Sequence, residues 1–303
     1  MLDHLLQNIK EPLLASPIDV LAFSVIDFRS ASFESIHFEV VDGEAEISTT
    51  RPYYDLASVT KPLTNSLSYF LRPELFDEKM LLCLSHRGGL PAWGLLARDS
   101  WKDQILSYNI QSAPTLYSDF SALRVLLEFE KKEKSMKKLC SEVWDSEVCF
   151  WTDLPAGALT LQNGYIRSMP NLGTVHDPNA FNIGSFCSHA GLFGTIEGVS
   201  RTLISYQKKT SFIEKVKKDL KTHSNRFSLG WDRVEEPQSS LAGNGCSALT
   251  FGHLGFTGTS IWIDPERMRA HVILSNATKH HWFQKRELNQ IRKMLGHYAW
   301  LRD

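Results

Sequence analysis

Asp55-Leu56-Ala57-Ser58-Val59-Thr60-Lys61-Pro62 is the stretch that decides how this chain reads. The S-x-x-K spacing alone carries no weight, because it recurs at Ser135/Lys138 and Ser205/Lys208 in charged segments. Context separates the first copy. It follows two strand-like runs and a Tyr-Tyr loop, and it opens an apolar segment. Pro62 has no N–H to donate, so it belongs in the first turn or so of a helix, with Ser58 near the N-terminus. Side chains three apart share a helix face, so Ser58 and Lys61 meet. The positive end of the helix dipole disfavours an ammonium, and burial pushes the same way, towards a neutral amine that accepts a proton. A serine hydroxyl becomes a nucleophile when such a base stands beside it. The segment by itself equally suits an ordinary serine at a helix start and a solvated lysine.

Outward from this stretch, the organisation is α+β. Leu2, Leu5, Leu6, Ile9 and Leu13 share one helical face, so an amphipathic helix opens the chain. Leu21, Phe23 and Val25 alternate, as do Ile36, Phe38 and Val40, and Asp42-Gly43 is a turn signal after the second run. From Ser58 to about Thr160 the pattern is helix and loop. Residues 161–195, rich in Gly, Asn and Pro, read as long loops, and a basic helix follows near Lys208–Lys221. Strands are expected at Phe227–Val234, Gly258–Ile263 and Ala270–Leu274, with Asp264-Pro265 turning between the last two. Leu288, Ile291, Leu295 and Tyr298 mark a closing helix. The expected architecture is one domain over 1–303: an antiparallel sheet flanked by N- and C-terminal helices (about 1–60 and 225–303), plus a mainly helical lobe (about 61–224).

Composition narrows the function classes. The 303 residues are 43% hydrophobic and 22% charged, an ordinary globular balance with a core of useful size. A formal net charge of -1 leaves no excess of base to hold a nucleic-acid backbone. No apolar run approaches the roughly 20 residues of a membrane span, and the first residues lack a basic leader, so a cytoplasmic protein is expected. Five cysteines without a C-x-x-C pair suggest reduced thiols rather than a zinc site or disulfide framework. No cofactor or metal is expected. The Lys131–Lys138 run reads as a solvated helix face and His280-His281 as a solvated pair, since no third ligand has metal-site spacing.

DLASVTKPL resembles the nucleophile motif of the serine β-lactamase and penicillin-binding-protein superfamily, closest to the class C-like β-lactamase-related serine hydrolases. Five further segments are similar in the family's order: LCLSHRGGLP (82–91), YSDFSALRVLLE (117–128), VHDPNAFNIGSFCSHAGLFGT (175–195), LGW (229–231) and GHLGFTGTSIWIDPE (252–266). The resemblance implies that Ser58 is acylated, that Lys61 accepts its proton, and that Tyr117 shares that proton and protonates the leaving group. A neighbouring lysine cation favours the Tyr117 phenolate. His253-Leu254-Gly255 matches the substrate-binding strand, where Gly255 lets a substrate backbone approach. The implied oxyanion hole uses the N–H groups of Ser58 and Phe256. His189 matches a further family segment, and it can equally cap backbone groups in its Gly-rich loop. Trp231 and Trp262 read as core.

Departures from the pattern qualify the activity. Leu254 replaces a hydroxyl residue that the family uses to hold a carboxylate, so β-lactams are expected to be poor substrates. Asp119 stands where many members carry Asn, and a carboxylate there opposes a neutral Lys61. Arg87-Gly88 replaces Thr-Ser, and Arg87 is a candidate to restore anion binding. Only 22 residues separate Lys61 from Leu84, a shorter stretch than the family's. The leading expectation is a serine hydrolase acting on a small-molecule or peptide-derived ester or amide, most concretely an N-acetylmuramoyl-L-alanine amidase-like enzyme. A carboxylesterase or weak β-lactamase is the alternative, and a non-catalytic binding protein on the same fold is the rival from another class.

Overall fold

Residues 20–26 are apolar apart from Ser24, and the fold buries them on both sides of one sheet. The computed structural model describes residues 2–133, 135–166, 168–280 and 285–301. Across its main sheet run Glu44–Ser48, Ser32–Val41, Val20–Asp27, Arg269–Ser275, Ser260–Asp264, Phe251–Leu254, Trp231–Arg233 and Phe227–Ser228, all antiparallel. Register places Phe23 between Ile36 and Ile273. Leu21, Phe23 and Val25 pack with Leu5, Ile9, Leu288, Ile291 and Leu295 from the terminal helices Leu2–Leu14 and Arg286–Leu301. Val20, Ala22 and Ile26 face the opposite core. There Ser200 of the helix Ile196–Thr210 donates to Ser24 Oγ at 2.8 Å. The alternation of Leu21, Phe23 and Val25 thus describes one face of a strand whose other face is equally dry.

The sequence-based strands and helices at both ends are present, including the Asp42-Gly43 turn and the closing helix. Two expectations change. Phe227–Val234 is not one strand but a hairpin, because Leu229 and Gly230 both adopt positive φ and reverse the chain. Residues 161–195 are not only loop. Asp177 accepts from Ala180 N and starts the helix Pro178–Ile183, and Leu192–Gly194 is the centre of a small sheet between Tyr54–Asp55 and Val148–Phe150. That small sheet anchors the segment that carries Ser58. Lys134 and His281 lie outside the described residues. All five cysteines are free, and no helix among the described residues is long and apolar enough to cross a membrane.

The closing helix is locked to the loop before the Phe251–Leu254 strand. The Ala242 carbonyl accepts from Trp300 Nε1 at 2.7 Å and lies 3.0 Å from His271 Nε2. A Cβ on Gly296 falls 2.0 Å from that same oxygen. Replacing glycine by alanine inside a helix ordinarily gains up to about 1 kcal/mol. Gly296→Ala is expected to reverse that sign and destabilise by about 2 kcal/mol through overpacking, read as a fall in the denaturant midpoint.

Candidate active site

Ser58 leaves the end of the Tyr54–Asp55 strand through a strained turn. Ala57 holds φ at 46°, a conformation that side chains with a Cβ avoid. The buried Asp55 carboxylate fixes it. Oδ1 accepts from Ala57 N at 2.8 Å, and Oδ2 accepts from Asn163 Nδ2 at 2.9 Å and His176 N at 2.6 Å. Burial pushes the Asp55 pKa up to about 7, and the backbone donors of His176 and Ala57 pull against it. The chain then winds through one 3₁₀ turn (Ala57–Val59) into helix, with a π-turn at Pro62–Ser66 and regular helix at Leu67–Leu71. Pro62 cannot bond the Ser58 carbonyl, and the helix absorbs that missing bond by widening. Ser58 is therefore in the first helical turn, as its spacing from Pro62 predicts.

Lys61 is only 3% exposed, and its ammonium has three neighbours. It donates to Ser58 Oγ at 3.0 Å and to the His189 carbonyl at 2.9 Å, and Asp119 Oδ1 lies 2.7 Å away. The last contact is an ion pair whose angle departs from that of a hydrogen bond. Burial lowers the lysine pKa, but the Asp119 carboxylate, joined by Tyr117, outweighs it and holds Lys61 above its ordinary range. Of the two opposing effects expected at Lys61, the Asp119 carboxylate thus outweighs burial and the helix dipole. The Tyr117 ring centroid is 4.9 Å from Lys61 Nζ, and its phenol sits against the side chains of Ser58 and Lys61. Burial raises the Tyr117 pKa, and with Asp119 it prevails over the lowering by Lys61. The resting group is a phenol, not the phenolate expected. His86 supports it: its ring lies 4.8 Å from Tyr117, and its Nδ1 accepts from Ser118 N.

Two cavities meet at Ser58, Tyr117 and Phe256. One, about 300 Å³, is lined by His253, Leu254, Gly255, Arg226, Lys285, Asn289 and Arg292. The other, about 440 Å³, is lined by Trp93, Asp119, His176, Asp177, Pro178 and Ala190. His253 is buried, with Nδ1 2.8 Å from the Leu254 carbonyl, and burial lowers its pKa to about 3, so it is neutral. Gly255 lines the cleft, yet its Cβ position lies 1.9 Å from Thr259 Oγ1 and 2.7 Å from the Leu56 carbonyl. Internal packing thus requires the glycine, whatever substrate approaches. His189 touches neither cavity. It faces Asp177 at 2.9 Å, and that carboxylate outweighs burial and keeps the imidazole protonated, while its carbonyl holds Lys61. Arg87 lies elsewhere, in a surface groove with Leu81, Asp219 and His223, so it cannot restore anion binding at Ser58.

Arg292 fills the place in which Arg87 was expected. It is 3% exposed and donates to the carbonyls of Thr259 (2.8 Å) and Gly255 (3.5 Å) and to Asn289 Oδ1. Its Nε has no partner, and no carboxylate pairs with it among the described residues. Leu254 is thus one wall of a cavity that also holds Lys285, Arg292 and the Arg226–Asp232 ion pair. Arg226, Lys285, Asn289, Arg292, Trp93 and Asp177 were not singled out from sequence. Only the i,i+3 spacing of Asn289 and Arg292 on a helix hints at a shared face.

The Lys61–Asp119 pair makes a stability prediction. Removing one member of a buried pair strands the other, at a cost of about 3 kcal/mol, whereas replacing both by apolar groups of similar size costs much less. Asp119→Leu alone is expected to destabilise strongly, and adding Lys61→Met to recover most of the loss, measured by urea unfolding of the full cycle.

Comparison with known proteins gives a consistent picture. The sequence model of the Beta-lactamase family matches residues 83–293, with the Ser58–Lys61 segment just upstream. A putative D-alanyl-D-alanine carboxypeptidase of Escherichia coli O157:H7 is 37% identical over 123 residues, which are 37% of this chain and 28% of that relative. The chain therefore matches only about a quarter of that relative's length. A class C beta lactamase from Rhodobacter sphaeroides superposes with a TM-score of 0.65 at 12% identity, covering 99% of this chain and 97% of the other. The octameric penicillin-binding protein homologue from Pyrococcus abyssi gives 0.63 at 15% identity, covering 92% and 74%. Structural likeness at these identities speaks to the fold alone, and the family model, spanning more than half of the sequence, settles the kinship: the chain belongs to the beta-lactamase family.

Proposed function

We propose that the protein is a serine hydrolase that works through an acyl-enzyme on a peptide-derived amide. The observation that carries this reading is the Ser58–Lys61–Tyr117 constellation, opening on a cleft. Ser58 Oγ attacks the carbonyl carbon and its proton passes to the Lys61–Tyr117 unit. The C–N bond then breaks, and Tyr117 delivers the proton to the leaving nitrogen. Water attacks the Ser58 ester, gives a proton to the same unit and releases the acid. Ser58 N and Phe256 N are the donors assigned to the tetrahedral oxyanion.

The resting protonation states shape the pH dependence. Lys61 is charged and Tyr117 is a phenol, so one proton leaves before Ser58 can be activated. Activity is expected to rise as the pH increases above neutral. Arg292 favours a substrate with a carboxylate on its side of the cleft, because that anion satisfies a buried cation. Peptide-derived amides, muropeptides among them, fit this requirement better than a neutral ester. The name of the Escherichia coli relative supports the same class. Five unpaired cysteines suit a reducing compartment, so we place the reaction in the cytoplasm. One observation favours a catalytically degenerate binding protein instead: Asp119 holds Lys61 in its inactive, charged form.

A fluorophosphonate probe separates the two. The wild-type protein is expected to gain one probe mass, with labelling faster at pH 9 than at pH 6. Ser58→Ala is expected to abolish labelling while the protein stays folded, its stability lowered by about 1 kcal/mol because Lys61 loses one of its acceptors. No labelling of the wild-type protein at either pH supports the binding-protein reading.

A further inference from the structure

The two halves of the cleft differ in charge. The half that contains Arg292 is lined by Arg226, Lys285 and Arg292 and by one carboxylate, Asp232, which is paired with Arg226. The other half has no lysine or arginine in its wall among the described residues, and carries His176 with Asp119 and Asp177, whose Oδ1 atoms face the buried Lys61 and His189. Burial holds the His176 pKa below its ordinary value, so that imidazole is neutral near pH 7. Both carboxylates divide their oxygens in the same way. Asp119 turns Oδ1 to Lys61, and Asp177 turns Oδ1 to His189 and Ala180 N. Their Oδ2 atoms have no protein partner among the described residues and are not sealed from solvent.

Trp93 lines the same cavity and is 51% exposed. An exposed tryptophan in a cleft wants a reason, because burying such a ring is a large gain. Its segment is not loose. Asn179 fixes the backbone that follows Trp93, donating to the Gly94 carbonyl at 2.9 Å and accepting from Leu96 N at 2.9 Å. The backbone beside the indole is therefore fixed, and the ring shares its cavity with Asp177. A tryptophan face beside outward carboxylate oxygens is the chemistry that receives an organic ammonium. Arg292 and Lys285, which have no carboxylate partner among the described residues, line the other end of the same cleft and suit an anion there.

We propose that the Trp93–Asp119–Asp177 cavity is a subsite for the protonated amino group of the substrate. The preferred substrates are then short peptides with both ends free, lying across Ser58 with the ammonium in this half and the carboxylate towards Arg292. The inference rests on the acyl-transfer reading for turnover, but the subsite itself is a binding property and can be measured without turnover.

The test is calorimetric binding to the Ser58→Ala protein, which cannot form the acyl-enzyme. The ligands are alanyl-alanine in the L,L and D,D forms and the N-acetyl derivative of each. The free-amine form of at least one stereoisomer is expected to bind about tenfold more tightly than its N-acetyl form, the worth of one charge-assisted contact. Trp93→Ala and Asp177→Asn, each introduced on this background, are expected to bring that ratio close to one. Trp93 is half exposed, so its variant is not at risk of misfolding. N-acetyl forms that bind as well as the free amines, a ratio unmoved by both variants, or no binding by any of the four ligands overturns the subsite. Labelling of wild-type Ser58 by the fluorophosphonate is scored separately, so the subsite can fail while the acyl-transfer reading stands, and the reverse.

Discussion

A buried ammonium needs acceptors around it, and much of this site is the arrangement that supplies them to Lys61. One comes from Ser58, one from the backbone of His189, and one from Asp119. Each acceptor arrives on a different element. Ser58 rides the first helical turn after the Tyr54–Asp55 strand, and Asp119 begins the helix Asp119–Lys132, capped by Ser118. His189 stands just before the Leu192–Gly194 strand that pairs with Asp55. Displacing any one of them leaves a charge out of water without compensation, so the three elements are tied to each other through a single nitrogen.

The same site is held from behind by groups that, Arg292 apart, do not line the cleft. Asp55 joins the Ser58 turn to Asn163 and His176. Thr257 and Thr259 donate to the carbonyls of Asp55 and Leu56, which fastens the Phe256 segment to the Ser58 turn. Arg292 holds the other side of that segment through Gly255 and Thr259. The donors assigned to the oxyanion thus lie on two pieces of backbone bonded to each other, which is the rigidity that electrostatic stabilisation needs. Loss of the strain at Ala57 would move Ser58 relative to Phe256, and the Asp55 carboxylate is what opposes that loss.

Sequence reasoning reached the sheet, the terminal helices and the neighbourhood of Ser58, Lys61, Tyr117 and Asp119, because each rests on local spacing or on a segment with a recognisable pattern. It missed what depends on distant chain segments. The small sheet was invisible because Val148-Cys149-Phe150 and Leu192-Phe193-Gly194 are three residues each, too short for a period. Arg292 looked like any basic residue on an amphipathic helix, and only the packing of Arg286–Leu301 on the sheet brings it to Gly255. Arg87 failed for the opposite reason: it adjoins a family-like segment, but positive φ at His86 and Gly89 turns its loop so that the side chain reaches the groove near Asp219. The protonation of Lys61 turns on the distance to Asp119, which spacing does not give, and at 2.7 Å that carboxylate dominates.

The central claim is that Asp119 keeps the Lys61–Tyr117 unit fully protonated at rest, and so sets the pH at which Ser58 becomes a nucleophile. The most direct measurement is the second-order rate of fluorophosphonate labelling from pH 5.5 to 10 for the wild-type protein and Asp119→Asn. Asparagine removes the charge that raises both Lys61 and Tyr117, so the acid limb of the profile is predicted to move down by about one to three pH units. The variant then labels faster than wild type near pH 6, and the two rates converge at high pH. Superimposable profiles, or a limb that moves up, would contradict the account.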